Sequence, residues 1–364
     1  MNASTAKRQS GIELLRIIAM LFVLVLHADY LALGYPKQAI IKADPLSVVP
    51  SVLLESMAVV SVNVFVMISG WFGLRPSWKG AFKLLYQSLF LSLLVLLGAF
   101  VYTQITGEQI LTASNVIDSL KDYWFLWTYL ILYAISPLLN SFVEHSGKRK
   151  LLHFLIIFYA LQFICEFFVG SRYFSNGYSV LSFMGLYLLA RYLKLYASES
   201  IGQANKNLFL LIYLFYALIS TFFIIASAFL LPEKSIFSFC IEKSVAYSNP
   251  FIVCGAVFLL LSFVGRRLEN RVINLVAESC FAVYLLNTNA ILFPFYYGTV
   301  RSWYKAYSGV EFLLLTWSLV VLFFLGAVLA DRLRIFTWRK LSSWIYRDRR
   351  GLGTGGDRSV EEQQ

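Results

Sequence analysis

"GIELLRIIAMLFVLVLHADY", residues 11–30, decides how the rest of the chain is to be understood. It is apolar over almost its whole length, and about 20 such residues span the roughly 30 Å of hydrocarbon in a bilayer. Yet it keeps Arg16 and His27. A cation at the middle of a spanning helix costs about 2.5–3.5 kcal/mol on insertion scales, so both groups should face a bundle interior or a wet cavity. Eleven residues separate them, which at about 100° per residue is three turns plus roughly 20°. Both side chains therefore share one helix face, roughly 16 Å apart along the axis. Taken singly, Arg16 could snorkel to the interface and pair with Glu13, and His27 could be a hydrogen-bonded packing residue. Together they favour a ligand path.

Composition agrees with a membrane chain. Of 364 residues, 59% are hydrophobic and only 14% charged, well away from the balance of a soluble domain. The net charge of +11 does not point to nucleic acid, because the basic residues sit in short segments between apolar runs. The four cysteines and three histidines show no metal-ligand spacing, and neither a metal site nor a cleaved leader is expected.

Hydropathy gives about ten spans: 11–33, 47–73, 82–105, 122–143, 150–170, 176–196, 207–231, 248–265, 272–294 and 311–336. With the N-terminus cytoplasmic, twenty-two Lys and Arg residues fall on the inner side and eight on the outer side. The expected fold class is an all-α polytopic membrane helix bundle of about ten transmembrane helices, both termini cytoplasmic. The expected division is a segment over 1–10, a membrane domain over 11–336 and a basic tail over 337–364. Within that tail, "WRKLSSWIYRDRR" suits the anionic inner leaflet, while "GTGGDRSVEEQQ" has a disordered composition. The aromatic clusters at "DYWFLWTYL" (122–130) and "FPFYYGTVRSWYKAY" (293–307) suit an interfacial belt or, alternatively, a sugar-binding vestibule.

Counting depth along the spans places Glu55 of the second and Asn287 of the ninth near the level of His27. A histidine, a carboxylate and an amide at one depth could supply a base, its orienting group and a hydrogen-bond donor. Asn289 and Tyr284 are further candidates for the donor. Ser69 and Gly70 fall near the level of Arg16, where small residues permit close approach of a helix or an extended ligand. Arg75 just beyond would suit phosphates, although the positive-inside rule also accounts for it.

These residues resemble the acyltransferase-3 family of integral membrane acyltransferases. The likeness rests on Arg16 and His27 in the first span, "VFVMISGW" (64–71), "DYWFLWTYLILYAISPLLN" (122–140) and "SCFAVYLLNTN" (279–289), in order over about residues 10–340. Two positions depart from the family pattern: Asn63 stands where many members have an acidic residue, and Asn287 where many have histidine. The resemblance implies transfer of an acyl group, acetyl or succinyl, from cytoplasmic acyl-CoA to an extracytoplasmic or lipid-linked glycan. It implies that His27 is catalytic, that Arg16 contacts the CoA donor and that Ser69 and Gly70 pack by the donor channel. The subgroup it looks most similar to is bacterial surface-polysaccharide O-acetyltransferases of the plasma membrane. No bound cofactor is expected beyond acyl-CoA as co-substrate, and the expected partners are that donor, a surface polysaccharide or lipid-linked sugar, and membrane lipid. The alternative is a transporter or flippase of lipid-linked sugars, which calls for charged pairs in several central spans and broken helices in related halves.

Overall fold

The computed structural model describes residues 9–351 apart from 171 and 233, with side chains through Ser343, and holds helices but no strand among the described residues. The expectation for "GTGGDRSVEEQQ" therefore lies outside the described residues. Helix α1 (Ser10–Ala28) and the single turn α2 (Tyr30–Leu33) carry the opening stretch, and α3 (Gln38–Ala43) follows. Helix α4 (Pro45–Ala58) begins where local chemistry sets it: Asp44 accepts from the Ser47 N–H at 3.2 Å, and Pro45 takes the first turn, where no N–H is needed. After Val59 and Val60 the same span continues as α5 (Ser61–Phe72). Helix α6 (Trp78–Thr106) starts on Ser77, which accepts from the Gly80 N–H at 3.1 Å. It stops at Gly107, whose φ of 75° is the left-handed conformation glycine adopts without strain.

Beyond it run α7 (Ala113–Lys121), α8 (Trp124–His145) and α9 (Lys148–Ile164), which ends in a π-helical turn over Cys165–Val169. Then come α10 (Val180–Tyr196), α11 (Ser198–Gln203), α12 (Lys206–Leu230), α13 (Lys234–Ser244) and α14 (Pro250–Phe263). The chain closes with α15 (Arg271–Ala277), α16 (Cys280–Asn287), α17 (Leu292–Ala306) and the long α18 (Gly309–Gly351). Helix α18 passes residue 337 without a break, so no structural boundary marks the expected start of the tail.

All ten expected spans are helical, but they are not ten equal crossings. Seven helical segments are long and apolar enough to cross a membrane, or eight if the bent pair Arg271–Asn287 and Leu292–Ala306 counts as one. That pair turns by 81°, so the ninth span ends at Asn287 rather than near 294. The difference from ten lies in α10 and α14. At 1.5 Å per residue their 17 and 14 residues reach only about 26 and 21 Å, short of the hydrocarbon thickness.

Helix α1 is the hub. It packs on α2, α4, α5, α14, α15, α16, α17 and α18, which explains why a helix with Arg16 and His27 does not offer them to lipid. Two apolar cores form around it. One joins α5, α8, α9, α10, α12 and α14; the other joins α1, α6, α16, α17 and α18. Phe65 of α5 and Phe125 of α8 pack against both cores, and the space between the cores is where the cavity lies. Large apolar side chains on α9, α12 and α18 point outward, as expected for faces solvated by lipid.

Gly70 belongs to this packing. A Cβ there would stand 2.5 Å from the Tyr187 carbonyl oxygen and 2.9 Å from the Ala190 Cβ, both on α10. The absent side chain lets α5 and α10 touch backbone to backbone. Gly70→Ala should therefore destabilise the protein by about 1–3 kcal/mol, read as a lower melting temperature in detergent, while the folded fraction keeps its affinity for the acyl donor. A chain of normal melting temperature with weakened donor binding would place Gly70 in the donor channel instead.

Candidate active site

A cavity of about 450 Å³ runs between the two cores. Arg16, Met20, Val23, His27 and Tyr30 line it from successive turns of α1 and α2, the stripe expected from helical spacing. Arg16 to Tyr30 is fourteen residues, or roughly 21 Å of helix, so the cavity is a long passage rather than a compact pocket. From the facing α4 and α5 come Glu55, Phe65 and Ser69. Phe125 and Tyr129 enter from α8, Phe281 and Tyr284 from α16.

At the Arg16 end, Arg16 Nη1 donates to Glu13 Oε2 at 2.6 Å, and its side chain remains 30% exposed within the passage. Pairing with Glu13 and facing the cavity are thus compatible, because the guanidinium has five N–H donors and Glu13 uses one. Lys83 and Glu278 line the same end. The Ser69 and Tyr129 hydroxyls are 3.0 Å apart, and Tyr129 stands within electrostatic reach of Arg16. Phe125 and Tyr129, four residues apart on α8, stack at 5.8 Å between ring centres, forming an aromatic wall from this level toward the middle.

In the middle, His27 Nδ1 lies 2.5 Å from Asn287 Oδ1. An amide oxygen only accepts, so Nδ1 carries the proton and donates, leaving the lone pair on Nε2. The ring also packs edge-on against Phe293, 5.4 Å between centres. Asn287 is the last residue of α16, and Phe293 lies in the first turn of α17. The 81° break between those helices is therefore what brings both against the imidazole. Asn289 builds that break. Its Oδ1 accepts from the Ile291 N–H at 3.0 Å and the Ser119 hydroxyl at 3.3 Å, and its Nδ2 donates to the Tyr123 hydroxyl at 2.9 Å.

Depth counting and geometry agree in part. Arg16, His27, Glu55 and Ser69 line one cavity; Gly70, Arg75 and Asn287 do not. Gly70 faces α10, Arg75 is exposed in the loop after α5, and Asn287 is fully buried behind His27. The orienting partner of His27 is Asn287, not Glu55, whose carboxylate is only 5% exposed and meets no hydrogen-bond or ion-pair partner among the described residues. Asn289 is buried and does not line the cavity, so it stands away from a reacting oxygen; Tyr284 keeps a place on the cavity wall.

Missing from the sequence-based candidates are Asn176, Tyr178, Glu242 and Tyr247, which line the Tyr30 end. Glu242 lies in α13 and the other three in turns between helices, with no periodic signal that marks them. Phe125 and Tyr129 belong to the aromatic cluster "DYWFLWTYL" (122–130), whose composition suits an interfacial belt or a sugar-binding vestibule.

The polytopic helical bundle thus holds a cavity lined by a guanidinium toward one end and, further along, by an imidazole bonded to Asn287. The family model described as an acyltransferase domain, acyltransferase-3, matches residues 9–332. The chain belongs to that family and is a multi-pass membrane acyltransferase. No curated protein and no solved structure matches it.

Proposed function

We propose that this chain moves an acetyl group from cytoplasmic acyl-CoA to a hydroxyl of an extracytoplasmic or lipid-linked glycan in a bacterial plasma membrane, with His27 as the general base. The observation that carries the proposal is the continuous cavity from Arg16 to a His27 whose Nδ1 is held by Asn287. The nucleotide end of the donor stays by Arg16, Lys83 and the basic loops, and the thioester reaches along the aromatic wall toward His27. Nε2 takes the proton of the acceptor hydroxyl as its oxygen attacks the thioester carbon. The tetrahedral intermediate then collapses, the carbon–sulfur bond breaks, and His27 returns the proton to the departing thiolate. The Tyr284 hydroxyl is the candidate donor to the oxyanion. Glu55 serves the acceptor side of the cavity rather than the imidazole.

The transporter alternative requires matching broken helices in related halves. The described residues contain one bent pair, at α16 and α17, and that break is engaged in holding His27.

The test is mass spectrometry of surface glycans from a strain producing the chain, its deletion and a His27→Ala strain. Loss of an acyl mass in both mutants, with glycan amount unchanged, supports acyl transfer. Loss of the exported glycan itself favours transport.

Arg16 gives a separate check on the donor end. Arg16→Ala should raise the KM for acyl-CoA about 10- to 100-fold, the worth of a hydrogen bond to a charged group. Because that change also leaves Glu13 unpaired, Arg16→Lys, which keeps a cation opposite Glu13, is the companion variant. It should fold normally and still bind donor several-fold less tightly, because an ammonium lacks the planar fork that grips phosphate. Unchanged donor KM in both variants would remove Arg16 from the donor site.

A further inference from the structure

The Tyr30 end of the cavity has a chemistry opposite to its Arg16 end. Glu55 and Glu242 line it, together with Asn176, Trp124, Tyr178 and Tyr247. Both cations of the cavity wall, Arg16 and Lys83, stand at the other end. The aromatic side is continuous: Trp124 and Tyr178 lie 4.6 Å apart between ring centres, Tyr178 and Tyr247 5.1 Å. Glu55 is more than nine-tenths buried, is aimed into this chamber and has no partner there. A buried carboxyl group with no hydrogen-bond or ion-pair partner among the described residues is a group that awaits a ligand's hydroxyl or amine.

The surrounding charges reinforce this. Asp29 lies at the same end and within electrostatic reach of Glu55. Lys243, a cation packed behind the wall, is already engaged. Its ammonium lies 3.6 Å from Glu166 Oε2 and 3.7 Å from Glu242 Oε1, and it donates to Asn176 Oδ1 at 2.8 Å. Glu166 also accepts from the Asn176 N–H at 2.9 Å, and Asn176 Nδ2 donates to Glu242 Oε1 at 3.1 Å. This network fixes Asn176 and Glu242 on the wall and spends the lysine's charge on carboxylates. Lys37 and Lys234 line only the neighbouring groove beyond Tyr30 and Glu242.

We propose that this chamber is the acceptor subsite and that it selects a sugar unit that is uncharged or bears an amine, excluding one that itself carries a carboxylate, sulfate or phosphate. Aromatic faces hold the ring while Glu55, Glu242 and Asn176 hydrogen-bond its hydroxyl or amine groups. An anion brought into the same space meets two acidic side chains and, among the described residues lining this end, no cation. This assignment rests on the acyl-transfer proposal for its substrate, but its charge preference can be measured without knowing the acceptor.

Cysteine placed at Val245 or at Leu31, both on the chamber wall, is treated from the acceptor side with a cationic and an anionic methanethiosulfonate of similar size. Labelling is read at that residue by mass spectrometry and normalised to each reagent's rate with free cysteine. The cationic reagent should react at least tenfold faster, and Glu55→Gln together with Glu242→Gln should bring the ratio toward one. Two positions guard against a single variant failing to fold. A ratio near one, or a preference for the anion, in a chain still competent in transfer overturns the charge selection and leaves acyl transfer standing. A preserved cation preference in a chain that transfers no acyl group overturns the enzymatic proposal and leaves the chamber's selectivity in place. Failure of both reagents to reach either position overturns an acceptor site open from that side.

Discussion

A His27→Ala chain is expected to reach the membrane at normal abundance and to transfer acyl groups about 10²- to 10⁴-fold more slowly, the usual contribution of a positioned general base. In barrier terms that is roughly 2.7–5.4 kcal/mol. The fall should appear in kcat, with the KM for acyl-CoA little changed, because the proposed site for the donor's charged end, at the Arg16 level, lies some 16 Å away. Folding should survive the substitution. His27 makes one side-chain hydrogen bond and one edge-on ring contact, and its other face is cavity rather than core. A His27→Gln chain, which can still bond Asn287 but cannot take up a proton at neutral pH, should be as slow as the alanine variant. Activity within threefold of the parent in either variant would remove the imidazole from the chemistry.

The second large effect belongs to a residue that touches no part of the cavity. Asn287→Leu should lower kcat about 10- to 150-fold, equivalent to roughly 1.5–3 kcal/mol, the cost of leaving a buried polar partner unsatisfied. Without the amide oxygen, Nδ1 has no acceptor, and the ring is free to rotate or to place its proton on Nε2, where a base needs a lone pair. Asn287→Asp should restore most of the loss, since a carboxylate oxygen accepts from Nδ1–H at the same place. It should also shift the pH–rate profile toward higher pH, because a neighbouring negative charge favours imidazolium and so raises the pH needed to free the base. That rescue and shift separate positioning from packing. If Asn287→Asp is as impaired as Asn287→Leu and the profile does not move, Asn287 acts only as a packing residue at the end of α16.

How much of this could be seen in the amino acids depended on whether periodicity reached the question. The shared face of Arg16 and His27 follows from helical spacing alone, and so does their avoidance of lipid. Depth counting correctly put Ser69 near the Arg16 level, where it meets Tyr129. It failed at azimuth. Counting residues along a span gives a level but not a direction, so it casts Glu55 as the group orienting His27 and Asn287 as a donor to the reacting oxygen, although Glu55 faces the cavity and Asn287 sits behind the ring. The break after Asn287 is also missed, because hydropathy summed over 272–294 absorbs the three polar residues Asn287, Thr288 and Asn289, the last of which accepts from the Ile291 N–H at the entry to the next helix. Gly70 was ambiguous for a related reason: a missing side chain suits a ligand and a second helix equally, and only the position of Tyr187 decides between them. Asn176 and Tyr247 lie between helices and Glu242 near the end of α13, and the buried Lys243–Glu166 pair beside them is a contact between residues far apart in the chain.

Sealed vesicles of known orientation carry the decisive measurement. Radiolabelled acetyl-CoA is offered to inside-out vesicles, whose cytoplasmic face is exposed, and to right-side-out vesicles from the same cells. If one cavity passes the acyl group from the Arg16 end to His27 and outward, label should enter glycan in the lumen of the inside-out vesicles only, and none should enter when His27 is alanine. Label appearing on the same face as the added donor, or appearing in the lumen equally well with His27→Ala, would contradict transfer through this passage.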